Sequence, residues 1–488
     1  MTRPEPLDAV VIGGGPAGAA IARLLAVWDH SVLVLDKGGD RARGLAESIP
    51  PSTRKLLAEI GVLDAVDRAG FCRTRGNTVW WASREARVET FGPGADAVAW
   101  QVFRPDFDRV LLDSAGAAGA TVERRARVRS VAIDSELARV EYECDGRRSA
   151  ATAKFVLDCS GRAGVLARRF RKTQPDHRTC GLVGVWTSTQ GWDLTDETHT
   201  LVETFDDGWA WSVPTSTIAR HAGVMVADAG GERSGRADLI RTYRALIARS
   251  PRLDRVLRSA ALERVFACDA SLYCSDGYAG PNYLLVGDAG SFIDPLSSFG
   301  VKKALASAWL GAIAVHTALI DPARAPAAGD FFGARERQLY STHLRRSREF
   351  ARAASEAHNT SFWAARAGTA IDDPIDADAS DPAREPDVRR AFERIRTAPH
   401  IDLRIADGFT FEQQPVVRGR EIVLEPTLAG GMRFAANVDL VRLAEIAPRH
   451  RDVPDLFEAY CRTCSPVPLP NVVSGLSLLV ARGILHER

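Results

Sequence analysis

The chain has 488 residues, of which 45% are hydrophobic and 26% charged, and its formal net charge at pH 7 is +1. On size alone this suggests about two to four globular domains, or one large catalytic unit with an appendage, and the near-zero charge argues against nucleic acid or a membrane surface as a partner. The sequence shows no secretory signal pattern, and no apolar run approaches about 18 residues. We therefore expect a cytoplasmic protein without a membrane span.

The eight cysteines are scattered along the chain, which is typical of free thiols in a reducing compartment. Cys461 and Cys464 form one C-x-x-C pair. Neither a second pair nor a nearby histidine pair completes a zinc site, so we predict no metal site.

The segment LDAVVIGGGPAGAAIARLLAVWDHSVLVLDKG (7–38) predicts a strand, a glycine turn, a helix and a second strand. Gly13, Gly15 and Gly18 form a G-x-G-x-x-G motif at the turn. The first glycine permits the turn, the second lets a pyrophosphate approach the backbone, and the third lets the helix pack closely on the strand. The full unit therefore predicts a dinucleotide site.

Further cofactor contacts are expected around this turn. Pro16 and Ala17 open the helix, whose N-terminus carries free N–H groups and the positive end of the helix dipole. Asp36 ends the second strand and Lys37 follows it. An acid at this position can accept hydrogen bonds from an adenosine ribose.

Two later segments resemble motifs of flavoprotein monooxygenases. VFRPDFDRVLLDSAGAAGATV (102–122) is similar to their arginine-led helix and makes Arg104 a candidate cofactor contact. FVLDCSGRAGVLARR (155–169) is similar to their second nucleotide motif, a strand that ends in Asp158 followed by a turn at Gly161.

A third segment, YLLVGDAGSFIDPLSSFGVKKALASAWLGA (283–312), completes this resemblance and identifies FAD as the cofactor. The family implies that a buried strand delivers Gly287 and Asp288, whose carboxylate can bind the ribityl hydroxyls. A positive helix end beside the ring system would stabilise a reduced, anionic flavin. The candidate contacts on the turn and helix that follow are Pro295, Gly300 and Val301.

A second G-x-G-x-x-G unit does not follow in the sequence, so a dedicated NAD(P)H domain is not expected. Reducing equivalents must then come from NAD(P)H that binds transiently near the flavin, or from a partner flavin reductase. O₂ is the expected second substrate.

The predicted fold class is α/β, with a Rossmann-like FAD-binding domain, an inserted antiparallel β-sheet substrate domain and a small α-rich C-terminal domain. The alternating pattern of 177–228 predicts antiparallel strands that cover the flavin, to which 77–83 and 99–103 contribute further strands. The segments are FAD-binding domain 1–76, 102–175 and 271–330, substrate domain 77–101 and 176–270, helical segment and linker 331–387, and C-terminal domain 388–488.

Residues 1 to 330 resemble the flavin monooxygenase superfamily with the p-hydroxybenzoate hydroxylase-like fold, and within it the flavin-dependent halogenase branch. GWAWSVP (208–214) is similar to the tryptophan signature of that branch. LAESIPPSTRKLLAEIGV (45–62) and FIDPLSSFGV (292–301) are similar to two further segments of the branch. The candidate catalytic residues on these segments are Glu47, Trp209, Trp211, Ser297 and Ser298.

One feature of the halogenase branch has no match. In that branch a lysine, placed after the glutamate-serine helix, captures or steers hypohalous acid. The corresponding stretch here, 67–83, holds Arg73 and Arg75, and no lysine occurs between Lys55 and Lys154. A guanidinium stays charged and is a poor nucleophile, so Arg75 is a candidate site residue of a different kind.

The resemblance without the lysine implies a monooxygenase that hydroxylates an electron-rich aromatic ring through a C4a-hydroperoxyflavin. One group of this superfamily hydroxylates a tryptophan side chain of another protein in tryptophylquinone cofactor biogenesis. We expect this chain to act in that way on a protein or peptide, with residues 388–488 suited to docking a protein. The alternatives are a halogenase acting on a free or carrier-bound aromatic compound and a non-catalytic flavoprotein scaffold. Trp209 and Trp211 share one face of a strand and are expected to form a wall of the cavity.

Overall fold

The computed structural model describes residues 5–487 except 93, 95–96, 135, 175–177, 228–235, 370–385 and 398–399. It separates into two compact units, Met1–Asp372 and Asp373–Arg488. The predicted linker at 370–387 lies almost wholly outside the described residues, and Pro386 already begins a helix.

The first unit contains the following elements in chain order. Its strands are β1 Leu7–Ile12, β2 Val32–Asp36, β3 Ala46–Ile49, β4 Cys72–Thr74, β5 Gly76–Trp80, β6 Arg87–Thr90, β7 Ala99–Phe103, β8 Thr121–Arg124, β9 Ala126–Ile133, β10 Ala138–Cys144, β11 Arg147–Asp158, β12 Arg171–Thr173, β13 Thr179–Thr187, β14 Thr200–Phe205, β15 Gly208–Ser216, β16 Ala219–Ala227, β17 Ala261–Asp269, β18 Tyr273–Ser275, β19 Ala279–Gly280 and β20 Tyr283–Leu285. Its helices are α1 Pro16–Val27, α2 Arg54–Ile60, α3 Leu63–Arg68, α4 Arg104–Ala117, α5 Arg236–Ile247, α6 Pro251–Leu257, α7 Gly300–Ile320, α8 Ala325–Ala357 and α9 Ser361–Ala367.

A mixed sheet with a parallel core forms the centre of the first unit, in the order β19-β20-β11-β1-β2-β8, and β10 and β9 extend it from β11. Strands β20, β11, β1, β2 and β8 run parallel. The last four residues of β1, from Ala9 to Ile12, are buried, as expected for a strand covered by helices on both faces. Helix α1 packs between α4 and α7. This arrangement confirms the predicted Rossmann-like core.

A seven-stranded sheet in the order β17-β13-β16-β15-β14-β5-β6 lies in the predicted substrate domain and is called the substrate sheet below. Its strands are antiparallel except where β14 pairs with β5. The prediction that 99–103 joins this sheet is wrong, because β7 pairs with β3 and β4 in a separate three-stranded sheet. The physical reason is connectivity: β7 runs directly into α4 of the cofactor-binding core, and its pairing with β3 brings Glu47 beside that helix.

Helix α7 is long and apolar enough, by length and composition alone, to cross a membrane. Two thirds of its most apolar window is buried inside the fold, where α7 packs on α1 and α8. It is therefore a core helix of the α/β unit.

The second unit has its own apolar core, which includes Leu440, Leu456 and Leu476. Its elements pair as β21 with β26, β22 with β23, and β24 with β25. The unit therefore adds three short antiparallel pairs to the helices that the sequence predicts. Its elements are α10 Pro386–Thr397, β21 Leu403–Ile405, β22 Glu412–Arg418, β23 Glu421–Thr427, β24 Phe434–Ala435, β25 Val438–Asp439, α11 Leu440–Ile446, α12 Val453–Thr463, α13 Leu469–Ala481 and β26 Leu485–Glu487.

Candidate active site

A cavity of about 470 Å³ lies in the first unit, between the parallel core and the substrate sheet. One part of its wall comes from the glycine turn after β1 and from the end of β2. Another part comes from β14, β15 and β16 and from the segment before α7. The volume is within the range of cofactor and ligand sites in proteins.

The glycine turn after β1 has a shape that only glycine permits. Gly13 has φ +106°, and a Cβ on it would lie 2.5 Å from the carbonyl oxygen of Cys159. A Cβ on Gly18 would lie 1.8 Å from the carbonyl oxygen of Gly13, so α1 could not pack against the turn. A Cβ on Gly15 would meet no atom closer than 3.9 Å, which leaves open space on the cavity side. The turn thus fits the role of a pyrophosphate cradle.

The first turn of α1 and the end of β2 both face this space. Gly15 precedes α1 without a side-chain cap, and Pro16 and Ala17 line the cavity. The carboxylate of Asp36 accepts a hydrogen bond from Gly14 N at 3.1 Å, and both Asp36 and Lys37 line the cavity. Free amides at a helix N-terminus together with a strand-end acid match the needs of the phosphates and the ribose of FAD.

Arg104 forms the centre of an ion-pair network at the cavity wall. Its Nη1 donates to Glu47 Oε2 at 2.8 Å, and its Nε and Nη2 donate to the two carboxylate oxygens of Asp108 at 2.8 and 3.1 Å. Burial raises the pKa of both carboxyls, although Arg104 pulls each of them down. Burial lowers the pKa of Arg104, but the two carboxylates outweigh it and raise that pKa overall. Arg104 and Glu47 line the cavity together.

Asp158 does not line the cavity, although the sequence makes it a candidate cofactor contact. Its fully buried carboxylate accepts hydrogen bonds from Ser160 N and Oγ at 3.0 and 2.6 Å. It also accepts from Leu166 N at 2.7 Å and Ala167 N at 2.9 Å. These donors occupy its lone pairs, so Asp158 organises the turn that brings Gly161 into the cavity lining.

The turn after β20 places Asp288 in the cavity lining. Gly287, which precedes Asp288, does not line the cavity. Gly287 has φ +66°, and its N–H donates to Ser307 Oγ at 2.8 Å. The lining continues through Pro295 and through Gly300 and Val301 at the start of α7. Asp288 and the N-terminus of α7 therefore flank one stretch of the cavity, as the third motif predicts.

Trp209 and Trp211 both line the cavity from β15. On the neighbouring strand β16, Met225 lies opposite Trp209 and Gly223 lies opposite Trp211. A Cβ on Gly223 would lie 2.3 Å from the Trp211 ring, so this glycine makes room for the indole. The two tryptophans thus form an aromatic wall, which is held in place by their cross-strand partners.

The structure does not bring Arg75 to the cavity. Its side chain is exposed at the junction of β4 and β5, where Nη1 donates to Gly94 O at 3.4 Å. Arg75 is the single residue between β4 and β5, and its side chain bonds the loop at Gly94 instead of facing the cavity. Ser298 does line the cavity, with a left-handed backbone at φ +51°. The side chain of Ser297 lies outside the described part of the structure.

Four charged groups of the lining were missed by the sequence reasoning, namely Arg127, Arg162, Asp269 and Asp294. Arg162 pairs with Asp269 at 2.7 Å and lies 4.0 Å from the ring centroid of Phe292. Asp294 caps the turn Pro295–Ser297 by accepting from Leu296 N, and burial raises its pKa. Arg162 and Asp294 lie inside segments that the motifs marked, whereas Arg127 and Asp269 lie outside them. The pairing of Arg162 with Asp269 depends on a contact between distant parts of the chain.

The residues around this cavity fit FAD. The glycine cradle, the acid at the end of β2, the Asp288 turn and a separate substrate sheet define an FAD-dependent oxidoreductase. The chain belongs to the family described as FAD binding domain, which matches residues 6–310. The match confirms the predicted FAD-binding core, and segments 45–62, 208–214 and 292–301 resemble the halogenase-like branch of the FAD monooxygenases.

Relatives and solved structures agree with this assignment. A tryptophan 2-halogenase of Chondromyces crocatus is 28% identical over 355 residues, which cover 71% of this chain and 67% of that protein. The flavin-dependent halogenase CmlS superposes with a TM-score of 0.77 at 20% identity and covers 99% of this chain and 96% of its own. The peptidyl tryptophan dihydroxylase QhpG, essential for tryptophylquinone cofactor biogenesis, superposes with a TM-score of 0.70 at 23% identity. This superposition covers 98% of this chain and 100% of the QhpG chain. Both superpositions cover nearly the whole chain, so they show that the fold is shared over both units.

Proposed function

We propose that this protein is an FAD-dependent monooxygenase that hydroxylates an electron-rich aromatic ring held against Trp209 and Trp211. The observation that carries the proposal is the chemistry of the lining. Among the described residues around the cavity the one lysine is Lys37, which follows Asp36 at the end of β2. The aromatic wall therefore has no lysine amine beside it among those residues, and the exposed arginines of 67–83 do not supply a substitute.

The arginines of that stretch are engaged elsewhere. Arg73 pairs with Asp67 at 3.3 Å with 58% of its side chain exposed, and Arg75 bonds a loop carbonyl. A group that is to capture an oxidant must reach the site where the substrate reacts. Neither guanidinium meets this condition, which favours direct transfer of oxygen over capture of hypohalous acid.

Reduced FAD, when bound, supplies an activated oxygen derived from O₂. The task of the chain is to hold the ring, to keep water out and to keep its own charges in place. Trp209 is nearly fully buried, and Met225 and Phe292 complete an apolar surface around it. Arg162 and Asp269 neutralise one another at the edge of this surface, so the wall carries no unpaired charge from that pair.

The substrate that we propose is the indole of a tryptophan in a protein or peptide. An aromatic wall of two indoles suits stacking or edge contact with another aromatic ring. The likeness to QhpG over the length of both chains supports a peptide-borne ring. We also propose that a separate flavin reductase or transient NAD(P)H supplies electrons, because the first unit contains one dinucleotide cradle among its described residues.

Halogenation is the second candidate function, and the similarity to a tryptophan 2-halogenase favours it. Both candidates share the cofactor, O₂ and an aromatic substrate. They differ in the atom delivered, which product analysis determines directly.

The test is to reduce the bound flavin photochemically and to add ¹⁸O₂, bromide and a short peptide with a central tryptophan, with free tryptophan in a parallel reaction. A mass gain of one or two ¹⁸O atoms on the peptide supports the proposal. Bromine incorporation contradicts it in favour of the halogenase, and oxygen on free tryptophan alone contradicts the peptide substrate. Flavin that is neither reduced nor reoxidised by O₂ would indicate a scaffold.

Two variants sharpen this test. Trp211→Ala opens the wall and should reduce product formation at least tenfold, whereas Trp211→Phe keeps a ring there and should retain most activity. Arg75→Lys is the matched control, because an exposed residue outside the cavity should change neither the amount nor the identity of the product. If Arg75→Lys yields brominated peptide, residue 75 reaches the site in solution and the argument from the lining is wrong.

A further inference from the structure

Lys303, in the first turn of α7, has a side chain with no exposed surface. Its ammonium donates to the carbonyl oxygens of Gly287 at 3.0 Å and of Ser291, and it lies 3.4 Å from Asp288 Oδ1. A lysine this deeply buried is rare because removing a charge from water is costly unless partners surround it. The position therefore calls for a specific role.

All three partners of Lys303 belong to one short turn, the turn that brings Asp288 to the cavity. Its contacts to Gly287 and Ser291 tie the two ends of that turn to the start of α7. Its contact to Asp288 leaves the rest of that carboxylate to face the cavity, where 30% of the side chain is exposed. Lys303 thus sets the position of the carboxylate that the cofactor meets.

A buried carboxylate on α8 interacts electrostatically with Lys303. Glu336 of α8 is 2% exposed. Burial raises its pKa to about 7, although Lys303 and Ser307 lower it, and Asp288 raises it further. Ser307 joins the same cluster by accepting the Gly287 N–H at 2.8 Å.

The other titratable groups around Glu336 are not charged near neutral pH. Tyr278 packs beside the cluster, and burial raises the pKa of its phenol above the usual range. The pKa of His343, further along α8, is lowered to about 4, chiefly by burial and also by the positive charge of Lys303. The charges that decide the behaviour of the cluster are therefore those of Lys303, Asp288 and Glu336.

We propose that Lys303 is a positioning residue for the cofactor, holding the Asp288 turn in its binding geometry and placing a buried positive charge behind it. The assignment concerns FAD binding and the reduction of FAD. It holds whether the enzyme hydroxylates or halogenates its substrate.

The affinity of the protein for FAD should depend on Lys303. Removing the ammonium deletes charge-assisted hydrogen bonds to the turn, which should weaken FAD binding about tenfold or more. Because Lys303→Met alone would leave the buried Glu336 without its cation, the paired variant Lys303→Met/Glu336→Gln is used as well. Lys302→Met is the matched control, since the adjacent lysine bonds Ser52 Oγ at 3.0 Å and stays partly exposed.

The proposal also has a consequence for the midpoint potential of the bound flavin. Loss of a buried positive charge disfavours a reduced, anionic flavin, so the potential of Lys303→Met should fall. Glu336→Gln removes a negative charge only at a pH at which the wild-type carboxyl is ionised. Its potential should therefore exceed that of the wild type at pH 8.5 and match it at pH 6.

The experiment uses the full-length chain. FAD binding to the flavin-depleted protein is titrated by flavin fluorescence, and midpoint potentials of the loaded proteins are measured at pH 6 and 8.5. The expected result is weaker binding in both Lys303 variants, a lower potential in Lys303→Met at both pH values and in the paired variant at pH 6, wild-type values in Lys302→Met, and the pH-dependent difference in Glu336→Gln. If the paired variant folds and binds FAD with the wild-type affinity and, at pH 6, with the wild-type potential, the proposal is overturned. It is equally overturned if only the melting temperature changes, because Lys303 would then be a structural residue alone.

Discussion

The ion-pair network at the cavity wall leads to a quantitative prediction for Arg104→Met. The substitution keeps the apolar stem of the side chain and removes the guanidinium. Glu47 loses one charge-assisted hydrogen bond at 2.8 Å, and Asp108 loses two at 2.8 and 3.1 Å. Burial already disfavours the ionised form of both carboxyls, and the substitution leaves them without their common cation.

The magnitude follows from the degree of exposure. Removing one partner of a fully buried ion pair costs about 3–5 kcal/mol of unfolding free energy. The three side chains here are 26%, 33% and 28% exposed, so solvent screens part of the interaction. Discounted for this screening, we expect a loss of about 2–3 kcal/mol at pH 7.

The pH dependence identifies the cause. Burial already holds the pKa of Glu47 and Asp108 above their ordinary values, and loss of Arg104 raises both further. A carboxyl whose pKa is higher in the folded than in the unfolded state favours folding at low pH and opposes it as the pH rises. The destabilisation by Arg104→Met should therefore be largest at pH 7 and should shrink towards pH 4.5.

Urea unfolding followed by tryptophan fluorescence measures this loss in the first unit alone, because all ten tryptophans precede residue 373. Arg109→Met is the control on the same helix. Arg109 is 62% exposed and lies 3.7 Å from Asp106, so its removal should cost at most about 0.5 kcal/mol. Equal losses for the two variants, or an Arg104 loss that does not change between pH 7 and 4.5, would refute the reasoning.

Three further predictions follow from single contacts. Gly18→Ala places a methyl group 1.8 Å from Gly13 O, so FAD binding should be lost and the unfolding free energy should fall by about 1–3 kcal/mol or more, as titration with FAD and urea unfolding will show. Gly223→Ala displaces the Trp211 ring, so product formation should fall at least tenfold while the Kd for FAD stays within about twofold; an unchanged rate would contradict the wall. Burial lowers the pKa of His221 to about 4, so the wild type should lose about 1 kcal/mol per pH unit between pH 6 and 4.5 from this group. His221→Gln should abolish that part of the slope, and an unaltered slope would exclude His221 as its source.

The cofactor site is the part of the molecule that local sequence predicts best. The glycine turn, the first helix and Asp36 follow one another within 24 residues, from Gly13 to Asp36, and their geometry depends on backbone freedom at those positions. Gly13 has φ +106°, a backbone conformation that favours glycine, so the glycine pattern in the sequence predicts the shape of the turn. The same holds for Trp209 and Trp211, because alternate residues of a strand share a face.

Asp36 and Asp158 show where local pattern stops being sufficient. Both are acids at the ends of the two parallel strands that flank β1, and the sequence treats both as cofactor contacts. Asp36 accepts one backbone amide and faces the cavity, whereas the carboxylate of Asp158 is occupied by four donors of the turn that follows it. Which acid is left for a ligand depends on how the next segment folds over it.

By itself, then, the sequence determined the cofactor, the α/β core and the face on which the tryptophans lie, because these follow from short-range backbone and periodicity rules. Only the tertiary structure decided that Arg75 points away from the cavity and that Lys303 lies behind the Asp288 turn. The reason is that burial and partnership of a charged side chain are set by segments distant in the chain. Lys303 and Gly287 are 16 residues apart, one on a helix and the other in a turn, and no local pattern reveals the hydrogen bond between them.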